Sequence, residues 1–273
     1  MDIRIIEKKD KTMKFILSEV NVALANSLRR AILSEVPTFA IEDVVIIENT
    51  SPLFDEVIAH RLGLIPLTTD LETYSYSEEC ESGNPDVVSQ CQVTLTLEKE
   101  AGNDYVTVYS GDLESEDPNV HPVYDKIPIT KLAPGQKIVI EATARLGVGR
   151  IHAKWQPVSS VGYKYMPLIK VYHDKCDLCG ACVSACPRNI LEIRDNALII
   201  KNAIDCTLCN ACVDACGEKQ AIDIEWDKSS FIFQLESTGA LPVEKIVDIA
   251  SQIIIDQTNE ILKKFESAKE VAK

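Results

Sequence analysis

Apolar residues at Ile3, Ile5, Phe15, Leu17 and Val20 alternate on either side of a polar stretch, Lys8 to Lys11, which predicts two short strands joined as a hairpin. Asn21 then stands as a candidate N-cap for a helix that places Leu24, Leu28, Ala31, Ile32 and Val36 on one face and stops at Pro37. Thr38 to Glu48, rich in Ile and Val, reads as a buried strand, and a Pro52 turn leads to a short helix near Val57 to Leu62 that Gly63 and Pro66 end. The acidic stretch Leu71 to Val88 reads as an exposed, loosely ordered loop. Gln92 to Lys99, Tyr105 to Tyr109 and Lys137 to Ala144 alternate like strands of an antiparallel sheet, which makes this region β-rich.

Near the end, Phe231 to Ser237 alternates as a strand, and Pro242 opens a long helix of about seven turns. Its Ile246, Ala250, Ile253, Ile254, Ile261 and Phe265 form one continuous stripe. One short helix of the same chain cannot cover so long a stripe, so part of it should face a partner's helices. The alternative is ordinary packing on the N-terminal sheet. The elements together give an α+β chain, and 273 residues are enough for two domains or for one with a large insertion.

The strongest chemical signal is a pair of cysteine runs thirty positions apart, Cys176, Cys179, Cys182, Cys186 and Cys206, Cys209, Cys212, Cys216. Both read C-x2-C-x2-C-x3-C. Three thiolates at this spacing wrap three irons of one cubane, while the fourth cysteine of each run ligates the other cluster. Two [4Fe-4S] clusters follow, one held by Cys176, Cys179, Cys182 and Cys216, the other by Cys206, Cys209, Cys212 and Cys186. Zinc needs only two pairs of ligands, so a repeated triplet plus one is more than it requires. A disulfide framework fits poorly with an N-terminus unlike a signal peptide and a chain otherwise poor in cysteine, and 46% hydrophobic with 26% charged residues and no apolar stretch of membrane-spanning length imply a cytoplasmic protein.

The runs form an internal repeat, each followed by a small apolar strand pattern, Ile190 to Ile193 and Ala221 to Ile224. A unit so poor in large apolar residues needs its metal to fold and should be disordered without iron. The second run is followed by Gly217 where the first has Pro187, a difference that touches loop rigidity and cluster potential but no ligand.

Charge narrows the function further. Asp and Glu number 42 against 28 Lys and Arg, a formal net charge of −14, and each oxidised cluster with its thiolates adds about −2. Such a surface repels phosphate backbones, so any contact with DNA is indirect. No apolar stretch has the length of a membrane helix. The four histidines are dispersed, and Gly147-Val148-Gly149 is a weak phosphate-loop fragment that reads better as a turn. No catalytic constellation stands out, which leaves a scaffold or, alternatively, a ferredoxin-type electron-transfer subunit of an oxidoreductase.

The stretch Leu24-Ala25-Asn26-Ser27-Leu28-Arg29-Arg30-Ala31-Ile32-Leu33, with Pro37 and Ile41 to Val45, resembles the alpha-like subunits of multisubunit RNA polymerases. Asp55 to Leu67, His152-Ala153-Lys154-Trp155-Gln156-Pro157 and Phe233 to Gly239 are similar to the archaeal members of that family, and the resemblance covers nearly the whole chain. It implies a dimerisation domain of residues 1–40 and 229–273, an inserted β-rich domain of 41–165 and 220–228, and a ferredoxin-like iron-sulfur domain of 166–219. It further implies a non-catalytic assembly platform of the archaeal DNA-directed RNA polymerase that pairs with subunit L and is joined by the small assembly subunits and then the large catalytic subunits. By the same resemblance Asn26, Leu28, Arg29, Arg30, His60 and Arg61 make interface contacts, though helix charges at such spacing are ordinarily just solvated. Related eukaryotic subunits hold zinc with four cysteines where this chain has only Cys80 and Cys91, which therefore read as free thiols or a disulfide and not as a third metal site.

Overall fold

A computed structural model describes residues 1–74, 76 and 91–271. The backbone divides into two compact units, one of Met1–Lys8, Lys14–Asn26 and Gly162–Gln234, the other of Lys9–Met13, Ser27–Val161 and Leu235–Lys273.

The first unit is built on a four-stranded sheet in the order β1-β2-β12-β9, where β1 is Asp2–Lys8, β2 Thr12–Ser18, β9 Val158–Val171 and β12 Ile222–Ser237. Phe15 stacks on Phe233 at 5.0 Å between ring centroids, and Tyr163 meets Phe231 edge-on at 5.5 Å, so aromatic contacts join three strands. The expected hairpin is present as β1 and β2. The expected strands at Ala221 and at Phe231 are instead one continuous strand, β12, because Trp226 to Ser230 stays extended under the pairing of its neighbours. Strand β9 has no clear mark in the sequence. Its mixed burial, with Lys164 and Lys170 among apolar residues, hides the two-residue period.

Between β9 and β12 the chain makes its cysteine-rich excursion, closed at the base by the Tyr172 amide donating to the Ala221 carbonyl at 2.8 Å. Two short helices, α3 (Ala181–Ala185) and α4 (Ala211–Cys216), carry the third cysteine of each triplet, Cys182 and Cys212, and β10 (Leu191–Arg194) pairs antiparallel with β11 (Ala197–Ile200). Asp195 and Asn196 turn this hairpin with φ of 50° and 59°, the left-handed pair that a two-residue loop demands.

In the second unit the sheet order is β3-β8-β4-β6, with β3 Pro37–Asn49, β4 Gln92–Glu100, β6 Glu114–Ser115 and β8 Lys137–Val148. Strand β8 pairs antiparallel with both β3 and β4, and its Ile138, Ile140, Ala142, Ala144 and Leu146 alternate into the core as a half-buried strand must. A separate two-stranded sheet joins β5 (Val106–Tyr109) to β7 (Pro128–Leu132). Helix α2, Asp55–Gly63, lays Ile58 and Leu62 into the same core as Phe39, Ile41 and Leu95. The stretch expected as an exposed acidic loop lies mostly outside the described residues. Of its described part, Leu71, Tyr74 and Tyr76 pack against the core, so these three are not loose surface.

Helix α1, Val22–Ser34, begins as its sequence predicts, the Asn21 side chain accepting from the Leu24 amide at 2.8 Å. The last helix, α5, runs Val243–Val271. The turn expected at Gly147-Val148-Gly149 begins at Gly149, directly after β8, while Gly147 still belongs to the strand and passes beneath the indole of Trp155.

Candidate metal centre and helical faces

Each triplet winds through two left-handed residues at matching places, Leu178 (φ 60°) and Gly180 (φ 77°) in the first run, Leu208 (φ 56°) and Asn210 (φ 60°) in the second. Glycine adopts this conformation freely and asparagine tolerates it, so the loop curls tightly between successive cysteines. The repeat read in the sequence is therefore a repeat of backbone shape. The runs differ at their exits: Gly217 has φ 58° and its amide caps α4 on Val213 and Asp214, a conformation and a donor that proline lacks.

Cys176, Cys179, Cys182 and Cys216 line one cavity, walled by Leu198 and Ile222. Burial raises the Cys182 thiol above its usual range, reinforced by Cys176 and Cys216 nearby. At the other end Cys212 is pushed up to about 11, first by burial and then by Cys186 and Cys206 close to it. Each fourth cysteine thus stands with the opposite triplet. Closely grouped thiols in an apolar wall resist ionising together, and iron offsets that cost by holding them as thiolates. Backbone amides already point at the sulfurs, Leu208 N to Cys206 Sγ at 3.4 Å and Ala221 N to Cys216 Sγ at 3.3 Å. A cubane carries each thiolate on a separate iron, so four cysteines lining one apolar cavity fit it.

Several charged groups around the site were invisible in the sequence. Lys164 of β9 donates to the carbonyls of Ile204 and Cys206, each at 2.6 Å, and Lys14 of β2 pairs with Asp205 at 3.1 Å. Burial lowers the Lys164 pKa, with Lys14 adding to the effect. Lys219 pairs with Asp177 beside the first run. These partners lie 40, 42, 191 and 42 positions apart, a separation no local motif reports.

The residues expected at interfaces divide sharply. Leu28, Ile246 and Ala250 are buried within this chain itself, as ordinary packing of these parts of α1 and α5 would have it. Ile253 and Ile254 are half-buried, whereas Ile261 and Phe265 are 56% and 64% exposed. Arg30 is exposed on α1, Asn26 and Arg29 are half-buried, and on α2 His60 and Arg61 are exposed, the Arg61 guanidinium also donating to the Ile129 carbonyl at 2.8 Å. Ser27, Arg30, Ile254 and Ile261 line one groove between α1 and α5. Cys91 is buried and disulfide-bonded, so the free-thiol alternative does not hold for it, and Cys80 lies outside the described residues. No helix among the described residues is long and apolar enough to cross a membrane.

Residues 44–167 match the RNA polymerase Rpb3/RpoA insert domain, and residues 166–222 match a 4Fe-4S dicluster domain. The chain is 42% identical to the DNA-directed RNA polymerase subunit Rpo3 of Methanosphaera stadtmanae, covering 96% of this chain and 97% of that one. It is 43% identical to the subunit of the same name from Methanothermobacter thermautotrophicus, over 96% and 98% of the two chains, and 42% identical to that of Thermococcus kodakarensis, over 96% of each. Sharing two-fifths of its residues with these proteins along almost its entire length, the chain belongs to the archaeal DNA-directed RNA polymerase subunit Rpo3 family.

Proposed function

We propose that this chain is the non-catalytic assembly platform of its polymerase, and that it pairs with the smaller alpha-like subunit L through α1 and the distal half of α5. The observation that carries this reading is the division of α5: Val243, Ile246 and Ala250 are fully buried, while Ile255, Ile261, Leu262 and Phe265 are each more than half exposed. Four large apolar side chains left open on one helix favour a helical partner that buries them. Small assembly subunits and the large catalytic subunits join the pair, with Arg29, Arg30, His60 and Arg61 among the contacts. DNA is met only through the other subunits.

The same reading places one [4Fe-4S] cluster on Cys176, Cys179, Cys182 and Cys216 and a second on Cys206, Cys209, Cys212 and Cys186. Bound iron supplies positive charge and a rigid inorganic core, and the chain's own part is to wrap it, aim amides at the sulfurs and exclude water with Leu198, Ile222 and Ile224. The small apolar core around these cysteines supports a structural role for the clusters, which stabilise the cysteine-rich domain and regulate later assembly. A ferredoxin-type electron carrier would leave the open helix of the rest of the chain without a purpose.

An anaerobic pull-down of the tagged chain from native extract tests this, run alongside a Cys179→Ser, Cys209→Ser variant. Large catalytic subunits should follow the wild type, and L alone the variant. Redox enzymes in place of polymerase subunits would overturn the proposal, and a variant unable to bind L would refute the separation of pairing from cluster binding.

A further inference from the structure

The two cysteine loops repeat each other in backbone, yet the charges around them differ. In the first run the residue after the leading cysteine is Asp177, whose carboxylate faces Cys179. The equivalent residue of the second run is Thr207, which hydrogen-bonds Cys209 with no charge. Asp214 also bears on Cys209, so each set of ligands has a carboxylate near it, but only the first carries one on the residue after its leading cysteine, where the second has a neutral hydroxyl. The only cation paired with Asp177 among the described ion pairs is Lys219, and the two neutralise each other in partly exposed positions.

Beside the second run the balance is positive. Lys14, Lys164 and Arg188 all act on Asp205, the residue immediately before Cys206, and against Asp205 and the Asp214 that bears on Cys209 these three cations leave an excess of one positive charge. Lys164 is the most closely engaged, its ammonium held on the carbonyl of Cys206 itself. Partial burial keeps water from screening it as it would a surface lysine. The other local lever is shared: each set of ligands has a backbone amide on a sulfur, through Leu208 and through Ala221. Reducing a [4Fe-4S] centre adds one negative charge, so surrounding charge and hydrogen bonds set its potential.

We propose that Lys164, supported by Lys14 and by Thr207 in place of an acid, makes the two centres inequivalent. The centre on Cys206, Cys209, Cys212 and Cys186 takes an electron at the higher potential, and the centre on Cys176, Cys179, Cys182 and Cys216 at the lower. This rests on the cluster assignment above. In each couple one electron passes from an external low-potential reductant to the cluster, and no bond to the protein forms or breaks.

The full-length chain, loaded with iron and sulfide anaerobically, is poised against dithionite with redox mediators, and reduction is followed by electron paramagnetic resonance. Two one-electron steps are expected. Cys209→Ser should remove the upper step. Lys164→Met should lower that step by at least a tenfold change in the reduction equilibrium, about 59 mV, without moving the lower one, and Lys164→Arg should restore it. Thr207→Asp and Asp177→Thr, both on exposed loop positions, should lower the upper step and raise the lower step respectively, and they decide the matter if Lys164→Met does not load iron. A single shared step, loss of the lower step in Cys209→Ser, or an upper step indifferent to both Lys164→Met and Thr207→Asp would overturn the proposal. A wild-type chain that binds no iron and sulfide would instead overturn the cluster assignment beneath it.

Discussion

Trp155 lays its indole over the Cα of Gly147, in the space where any other residue would carry its β-carbon, and anchors its ring nitrogen on the Arg145 carbonyl at 3.0 Å. The Thr38 hydroxyl donates to the Trp155 carbonyl at 2.8 Å, so the same residue also ties down the start of β3. The tryptophan is a clamp across the end of the β3-β8 pair. Gly147→Ala must push the ring away, and overpacking of this kind costs about 1–3 kcal/mol. Urea denaturation followed by tryptophan fluorescence should show that loss, and an unchanged midpoint would contradict the clamp.

Tyr74 donates to Asp117 Oδ2 at 2.7 Å, and its phenol is pushed up to about 12, first by burial and then by that hydrogen bond to a carboxylate. A phenol whose folded pKa lies above its unfolded value of about 10 contributes stability that is complete below pH 10 and lost as pH rises through 12. Alkaline titration of tyrosinate absorbance should show a late component, absent from Tyr74→Phe. If the variant titrates identically to the wild type, Tyr74 ionises normally and the packing of this segment is not as described.

The exposed end of α5 predicts a variant that folds but does not pair. Ile261→Asp with Phe265→Asp alters side chains that are 56% and 64% exposed, so the melting of the isolated chain should change little. Pairing with L should weaken by about tenfold or more, as for truncated apolar anchors at interfaces. Calorimetric titration of L into each protein measures it, and an undiminished affinity would move the interface elsewhere.

Iron removal should act locally. The core of the cysteine-rich excursion contains four buried cysteines and five buried aliphatic side chains, whereas the β3-β8-β4 sheet has an extensive core of its own. After chelation under mild oxidation, hydrogen exchange should become fast across residues 173–219 and stay slow in β3, β4 and β8. Equal loss of protection in both regions would mean that the clusters support the whole chain.

The parts of this molecule legible in its sequence are those whose cause is local. The capped start of α1, the hairpin of β1 and β2, and the alternation of β8 each follow from residues within a turn or a strand of one another. The cysteine runs are legible for the same reason, since their spacing is a local property and the repeat is visible as such, in agreement with the 4Fe-4S dicluster match over residues 166–222. The Asn-Ser-Leu-Arg-Arg stretch and its companions were enough to suggest the family.

Tertiary structure decided what depends on distant partners. Strand β9 and the long continuous β12 exist because neighbours in the sheet supply hydrogen bonds that override a weak alternating pattern. One apolar stripe on α5 became core at Ile246 and open surface at Phe265, because burial is a property of what lies opposite and not of the helix. Lys164 reaches Cys206 across 42 positions, so the charge beside the second set of cysteines could be known only once the chain had folded.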